Sequence, residues 1–278
     1  LKIGLLQTLV QEITQQRRQK ERHQTPHAWL PSVEELRQAI QDHQLILHYQ
    51  PQVDLKSGAL SGVEALVRWQ HPERGLIYPD RFIALAEQNG LIVDLTSQVI
   101  AQAIKQNREW RNKGLRTKAS VNISADNITS LTLPEQLSDM FQNQNLDPAM
   151  LTFEVTESAL MGELVTALDV LTRLRMKGFG LSIDDFGTGY SSLSQLHRIP
   201  FTELKIDKSF ILAMSEDKEA RSIVKTCIML GHELNMEVVA EGVESQDMQD
   251  MLTDLGCDIA QGYHIARPMP AESFSAWV

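Results

Sequence analysis

From residue 45 onward, short apolar runs alternate with longer amphipathic stretches. Residues 46–53 and 60–69 both read as strands, joined only by Asp54-Leu55-Lys56-Ser57-Gly58-Ala59. That connection is too short for a parallel crossover, so the two strands must form an antiparallel hairpin. The rhythm then becomes strand followed by helix. Strands are predicted at 118–123, 151–156, 180–184, 203–206, 237–240 and 258–262, with helices such as 80–89, 95–113 and 220–234 among them. With the hairpin this makes eight strands, the number of a TIM-like (β/α)8 barrel, an α/β fold, here with an antiparallel first strand.

The first residues do not fit this rhythm. Leu5, Leu6, Leu9, Val10 and Ile13 fall at helical spacing, a polar run over 15–24 continues them, and Thr25-Pro26 ends the pattern. Ser32 then caps a short helix, with Glu35 at the capping-box position. We expect residues 1–31 to be a helix and linker from an upstream sensory or receiver domain, and residues 32–278 to be the barrel. The competing expectation is an ordinary N-terminal helix lying on the barrel. The chain opens on Leu1, not Met, which suits a piece of a longer protein.

Composition narrows the class. A chain of 278 residues with 42% hydrophobic content supports one full core. The net charge of -10 argues against duplex nucleic acid as a partner, although metal ions can neutralise an acidic site locally for a phosphate ligand. Cys227 and Cys257 are the two cysteines, which suits a reducing compartment and gives no metal-ligand spacing. No apolar run approaches the ~20 residues of a membrane span, and a cytoplasmic domain is expected.

Polar residues recur near the carboxyl ends of the predicted strands: Glu64 and Arg68, Asn122, Glu154 and Glu157, Asp184 and Asp185, Lys205 and Asp207, Glu241 and Glu244, then Gln261. In a barrel these ends converge on one face. Asp184 and Lys205 follow apolar neighbours, so they share one side of otherwise apolar strands. Buried carboxylates without partners cost several kcal/mol each, so a ring of them makes sense around cations. The donors are all oxygens, with no His or Cys, which favours Mg²⁺ or Mn²⁺ over zinc. Adjacent aspartates on a strand point to opposite faces, but where the chain turns both can reach one cation. Gly187 and Gly189 let the following loop bend. Singly, each residue has a plainer reading: Glu64 as a strand-edge charge, Asn122 as a turn residue, Lys205 as a partner of Glu203 or Asp207, and Asp185 or Thr188 as a helix cap. Glu157, Glu244 and Arg68 would only brace the barrel's top. Recurrence at successive strand ends favours one site.

Val63-Glu64-Ala65-Leu66-Val67-Arg68-Trp69 resembles the signature of the EAL family of cyclic-di-GMP phosphodiesterases. So do Tyr49-Gln50-Pro51, Val121-Asn122-Ile123-Ser124, Glu154-Val155-Thr156-Glu157, Asp184-Asp185-Phe186-Gly187-Thr188-Gly189, Leu204-Lys205-Ile206-Asp207, Ala240-Glu241-Gly242-Val243-Glu244 and Gln261-Gly262-Tyr263. The resemblance runs from about Ser32 to the end, and the family's barrel also has an antiparallel first strand.

The resemblance implies hydrolysis of cyclic-di-GMP to linear pGpG by a two-metal mechanism with an activated water. Glu64, Asn122, Glu154 and Asp184 would hold one metal; Asp184, Asp185 and Glu241 would hold a second. Lys205 would contact the water, and Glu241 is also a candidate general base. Gln50, Arg68 and Gln261 resemble substrate contacts, Glu244 supports the site, and Glu157 would anchor the loop 186–192. Mg²⁺ or Mn²⁺ would support turnover, whereas Ca²⁺ would bind without supporting it. A homodimer is implied as well. Three other readings stay open: a non-catalytic cyclic-di-GMP receptor, a Schiff-base aldolase using Lys205, and an enolase-like lyase with carboxylate-held Mg²⁺.

Overall fold

A computed structural model of the chain describes residues 29–188, 196 and 198–278. The stretch expected to form the N-terminal helix, and the loop from Gly189 to Ser192, lie outside the described residues. Nine strands follow in chain order: β1 (Leu45–Asp54), β2 (Leu60–His71), β3 (Gly75–Ile77), β4 (Lys118–Asn122), β5 (Leu151–Thr156), β6 (Gly180–Phe186), β7 (Glu203–Ile206), β8 (Glu237–Glu241) and β9 (Ile259–Gln261). Their order in the sheet is β1-β9-β8-β7-β6-β5-β4-β2-β3, and β1 also pairs with β2. All but β3 therefore close into a barrel of eight strands. β1 runs antiparallel to both neighbours, and the pairings from β2 through β4 to β9 are parallel.

The hairpin forms as the short connection requires. Leu45 pairs with Trp69 at one end and Val53 with Leu60 at the other. The Asp54 carboxylate accepts from the Ser57 N–H at 2.7 Å, and Gly58 turns the chain at φ 68°. By contrast, β1 meets β9 through only two Cα pairs, Val53 with Ala260 and Asp54 with Ile259.

Apolar residues facing out of the barrel meet a layer of helices. The longest helix among the described residues, Ile92–Asn112, packs on β1 and β4 and buries Trp110 edge-on to Tyr49 at 4.7 Å. Phe179 lies between Phe141 and Phe153, at 5.0 and 5.4 Å. Side-chain caps start helices within four residues of the strand ends: Ser124 with Asn127 in a capping box, Asp207 ahead of Lys208–Ala213, and Ser245 ahead of Gln246–Asp254. These caps satisfy N–H groups that would otherwise lack partners at the face where the strands end.

Two details differ from the sequence reading. The helix expected over 80–89 is a 3-10 turn, Pro79–Arg81, followed by a separate helix, Ile83–Gln88. Phe82 breaks the run because its ring is fully buried against Trp69 at 6.0 Å, and its backbone sits at φ -135°. The short strand β3 was not expected. It extends the β2 edge after a turn with Gly75 at φ 70°, and three residues are too few to show a period.

Inside the barrel the lining is polar well below the strand ends. Gln52, Ser120, Thr152 and Ser182 are all buried there. Close approach of chain segments completes the face. A Cβ on Gly262 would lie 2.1 Å from the Val243 carbonyl oxygen, so only glycine lets the end of β9 meet the segment after β8.

Candidate active site

Strand periodicity brings one layer of polar side chains to the mouth of the barrel, and Lys205 stands at its centre. This side chain is 0% exposed. Its Nζ lies 2.6 Å from Glu241 Oε1, 2.9 Å from Glu154 Oε2, 3.4 Å from Glu64 Oε2 and 3.6 Å from Asp184 Oδ1. Burial works against its charge, but the carboxylates outweigh burial and hold the ammonium well above the ordinary lysine range. Neither Glu203 nor Asp207 is its partner; the four carboxylates come from four other strands.

Glu64 is the best-supported of these acids. Asn122 Nδ2 donates to its Oε1 at 3.0 Å, and Gln261 Nε2 donates to its Oε2 at 2.6 Å. Burial would raise its pKa, yet Lys205, Gln261 and Asn122 together bring it below the usual carboxylate range. The amide chain continues: Gln261 Nε2 also donates to Gln50 Oε1 at 3.1 Å, Gln52 Nε2 donates to Gln261 Oε1 at 2.9 Å, and Gln50 Nε2 donates to the Ala266 carbonyl at 3.1 Å.

The other acids are under-compensated. Burial and the neighbouring Glu64 push Glu154 well above its ordinary range. Burial, with Asp184 and Glu64 adding to it, pushes Glu241 up to about 8 despite its contact with Lys205. Asp185 is pushed up to about 6 by burial, Asp184 and Asp207. One ammonium does not balance this many carboxylates.

Adjacent Asp184 and Asp185 reach the same place because the strand breaks its alternation there. Asp185 has φ 54°, a left-handed conformation rarely adopted away from glycine, and the register of β6 on β7 shifts between Ile183 and Phe186. Asp184, Asp185 and Glu241 consequently offer carboxylate oxygens that all lie within 4.8 Å of one another. Glu154 Oε1 is fully shielded and has no hydrogen-bond partner. A compact all-oxygen set, excess negative charge and an orphaned buried carboxylate oxygen together fit a hard divalent cation.

The cleft above the ring measures about 360 Å³ and includes Gln50, Glu64, Asp184, Glu241, Glu244 and Gln261 in its lining. Glu244 is exposed on its rim. Sequence reasoning missed Lys208, Leu212 and Tyr263, which also line it. Lys208 and Tyr263 lie two residues beyond the ends of β7 and β9, and Leu212 lies one helical turn past Lys208. Gly242, at φ 72°, lets Lys208 approach: a Cβ there would sit 2.6 Å from Lys208 Cβ. Tyr263 stacks under the Arg267 guanidinium at 4.1 Å. A second, more apolar hollow of about 700 Å³ lies beside the ring, reaches Asn122 and contains none of the ring's acids.

Two predicted residues stand apart from the ring. Arg68 is buried, with its guanidinium over Tyr78 at 5.1 Å and Nη1 donating to the Val67 carbonyl at 2.8 Å; it does not line the 360 Å³ cleft. Its Nε is buried without a partner. Glu157 is buried at the start of the turn after β5, and its Oε2 accepts from the Gly187 N–H at 3.3 Å. It therefore touches the loop that leaves Asp184 and Asp185.

Known proteins give this geometry a family. The EAL domain profile matches residues 33–268. The bifunctional diguanylate cyclase/cyclic di-GMP phosphodiesterase MucR of Pseudomonas aeruginosa is 44% identical over 250 residues, 90% of this chain and 36% of MucR. The cyclic di-GMP phosphodiesterase PdeR of Escherichia coli is 40% identical over 251 residues, 90% of this chain and 38% of PdeR. The solved structure of the PaMucR phosphodiesterase in complex with c-di-GMP superposes with a TM-score of 0.83 at 44% identity, covering 87% of this chain and 98% of that one. The chain thus spans little more than a third of these two curated relatives. With a barrel whose first strand is antiparallel, an acidic ring around a buried lysine and a profile match across nearly all of the described barrel, the chain belongs to the EAL domain family.

Proposed function

We propose that this chain hydrolyses cyclic-di-GMP to linear pGpG. The observation that carries the reading is the buried ammonium of Lys205 held by four carboxylates beneath the cleft. It is supported by the names of the relatives and by the c-di-GMP complex of the similar structure.

Glu64, Asn122, Glu154 and Asp184 would hold one divalent ion, and Asp184, Asp185 and Glu241 a second. When bound, such ions supply Lewis acidity to the phosphodiester and a nucleophile at neutral pH. The chain's own residues do the rest. Lys205 presents a fixed positive charge toward developing negative charge on the reacting phosphoryl group. Glu241 lines the cleft and is the candidate to take the proton of the attacking water. Gln50 and Gln261, joined by their hydrogen bond, present amides to the dinucleotide, and Arg68 would grip a phosphate oxygen only after turning out of its packing over Tyr78. A lysine locked as an ammonium is a poor Schiff-base nucleophile, which disfavours the aldolase reading. The enolase-like lyase needs a lysine base, and the same locked proton argues against it.

The test is to incubate the chain with cyclic-di-GMP and Mg²⁺ or Mn²⁺ and identify the product by mass. pGpG supports the reading. Tight binding without turnover at saturating metal would replace it with a receptor. Ca²⁺ is expected to bind the same oxygens while supporting less than about a hundredth of the Mg²⁺ rate, because its longer, looser coordination suits in-line displacement poorly. Calcium-only turnover near the magnesium rate contradicts this.

The reading places the domain in the cytoplasm, where a bacterial second messenger is turned over. Residues 1–31 we read as a connection to a further sensory or receiver domain. We also propose that the active form is a homodimer in which pairing orders the loop anchored by Glu157. Glu157→Ala should lower kcat roughly tenfold and weaken the second metal more than the first, as loss of an outer support does. Metal titration followed by a rate assay checks this, and equal weakening of both sites contradicts it. Specific activity should fall on dilution below the dimer dissociation constant; a constant value across that range removes pairing from the mechanism.

A further inference from the structure

Among the described residues that line the cleft above the ring, Lys208 is the one cation. Lys205 lies buried beneath the cleft, and Arg68 packs over Tyr78 outside its lining. Lys208 is exposed and shares the lining with Asp184, Glu241 and Glu244. Despite that company its ammonium forms no ion pair with any described residue. The adjacent Asp207 is committed to its own helix, where Oδ1 accepts from the Ser209 N–H at 2.9 Å.

Two features seat this lysine in the cleft. Gly242, the residue after the ring acid Glu241, has φ 72°, and a Cβ there would lie 2.6 Å from Lys208 Cβ and 3.3 Å from its Cα. Glycine permits that approach, which brings the lysine stem beside Glu241. Leu212 stands four residues further along the helix Lys208–Ala213, so the two share a face. Leu212 also lines the cleft and is 40% exposed. That helix face turns a cation and an apolar group toward one space, as a bound nucleotide requires.

The substrate of the proposed reaction carries two phosphodiesters in one ring. The carboxylate oxygens of Asp184, Asp185 and Glu241 lie within 4.8 Å of one another, which suits ions at one phosphate. The other phosphate keeps its charge. The amides of Gln50 and Gln261 are neutral, and the rim acid Glu244 repels it. Arg68 reaches a phosphate only by leaving Tyr78, whereas Lys208 lines the cleft as it stands. We propose that Lys208 grips the phosphodiester of the ring that is not cleaved, and so favours a cyclic dinucleotide over an ester with a single phosphate. Its flexible stem carries a point charge with three donors, which suits a phosphate oxygen near the mouth of a cleft. This assignment rests on the phosphodiesterase reading.

The experiment compares Lys208→Met and Lys208→Arg with the parent in the full chain. It measures kcat and KM for cyclic-di-GMP in Mn²⁺, kcat/KM for bis(p-nitrophenyl) phosphate, which has a single phosphodiester, and the Kd of cyclic-di-GMP in Ca²⁺. Lys208→Met should raise KM and Kd about tenfold, the effect of losing one charge-assisted hydrogen bond. Its kcat should stay within about twofold, because the second phosphate is held equally before and during reaction. The ratio of kcat/KM for cyclic-di-GMP to that for the small ester should fall about tenfold. Lys208→Arg keeps the charge and should stay within about threefold of the parent. Parental KM and Kd in folded Lys208→Met overturn the proposal. So does an equal loss on both esters, which would make Lys208 a support of the metal site, and so does an arginine variant as impaired as the methionine one. Where the small ester is not turned over, the Kd values decide. A parent that binds cyclic-di-GMP without hydrolysing it refutes the proposed function alone, and Kd again decides Lys208. A parent that does not bind it removes both.

Discussion

Glu64→Ala is expected to abolish hydrolysis while leaving the barrel folded. Glu64 receives donors from Asn122 and Gln261 and faces Lys205, so its removal strips one oxygen pair from the candidate metal set. The fold should survive because three carboxylates still face Lys205, and the Gln261 amide keeps Gln50 as an acceptor. The space left opens into the cleft, where water can replace the lost acceptor. The rate should drop by roughly 10²-fold or more, the scale on which a preorganised electrostatic group acts. Rate at saturating Mg²⁺ and the unfolding midpoint should be measured on the same preparation. Turnover near the parental rate in a folded variant would remove Glu64 from the site.

Lys205→Ala should have two opposed effects. In metal-free protein it leaves Glu64, Glu154, Asp184 and Glu241 facing one another with no cation. Breaking a buried pair in this way costs about 3–5 kcal/mol. Added divalent ion should restore more stability than in the parent, because the competing ammonium is gone and the carboxylates are released to the ion. Catalysis should nevertheless fall, with affinity for cyclic-di-GMP spared, since the lysine's role is assigned to the transition state. The measurements are unfolding midpoints with and without Mn²⁺, dinucleotide affinity, and a single-turnover rate. Lost affinity with a normal rate at saturation would make Lys205 a binding residue. A metal-free midpoint equal to the parent's would mean the ring holds protons rather than charge.

Much of this site was legible in the chain, for identifiable reasons. The hairpin followed from a loop too short to cross over. The side shared by Asp184 and Lys205 followed from strand parity, and their convergence with Glu64, Asn122, Glu154 and Glu241 followed from barrel geometry. The left-handed backbone at Asp185 was not legible, because aspartate does not announce that conformation as glycine does. Only that twist explains how both adjacent acids serve one place. Arg68 sits at the right parity, but a long side chain chooses its direction by packing, and here it turns over Tyr78. Glu203, which the sequence offers as a partner for Lys205, is instead buried two residues earlier on β7, in register with Ser182 and Glu237. The family resemblance supplied roles that parity and spacing alone left open.

The seam between β1 and β9 has a consequence for how the protein comes into being. The two Cα pairs that close the barrel join its first strand to its last, among the most sequence-distant contacts in the fold. Loop-closure entropy makes such contacts late ones. The amides that cross the seam, Gln261 to Gln50 and Gln52, are separated by 211 and 209 residues, and the bond from Gln261 to Glu64 spans 197. A chain emerging from the ribosome therefore holds its acids, lysine and hairpin long before it holds a finished cleft. On the proposed function, a copy that lacks β9 is expected neither to bind the dinucleotide nor to turn it over.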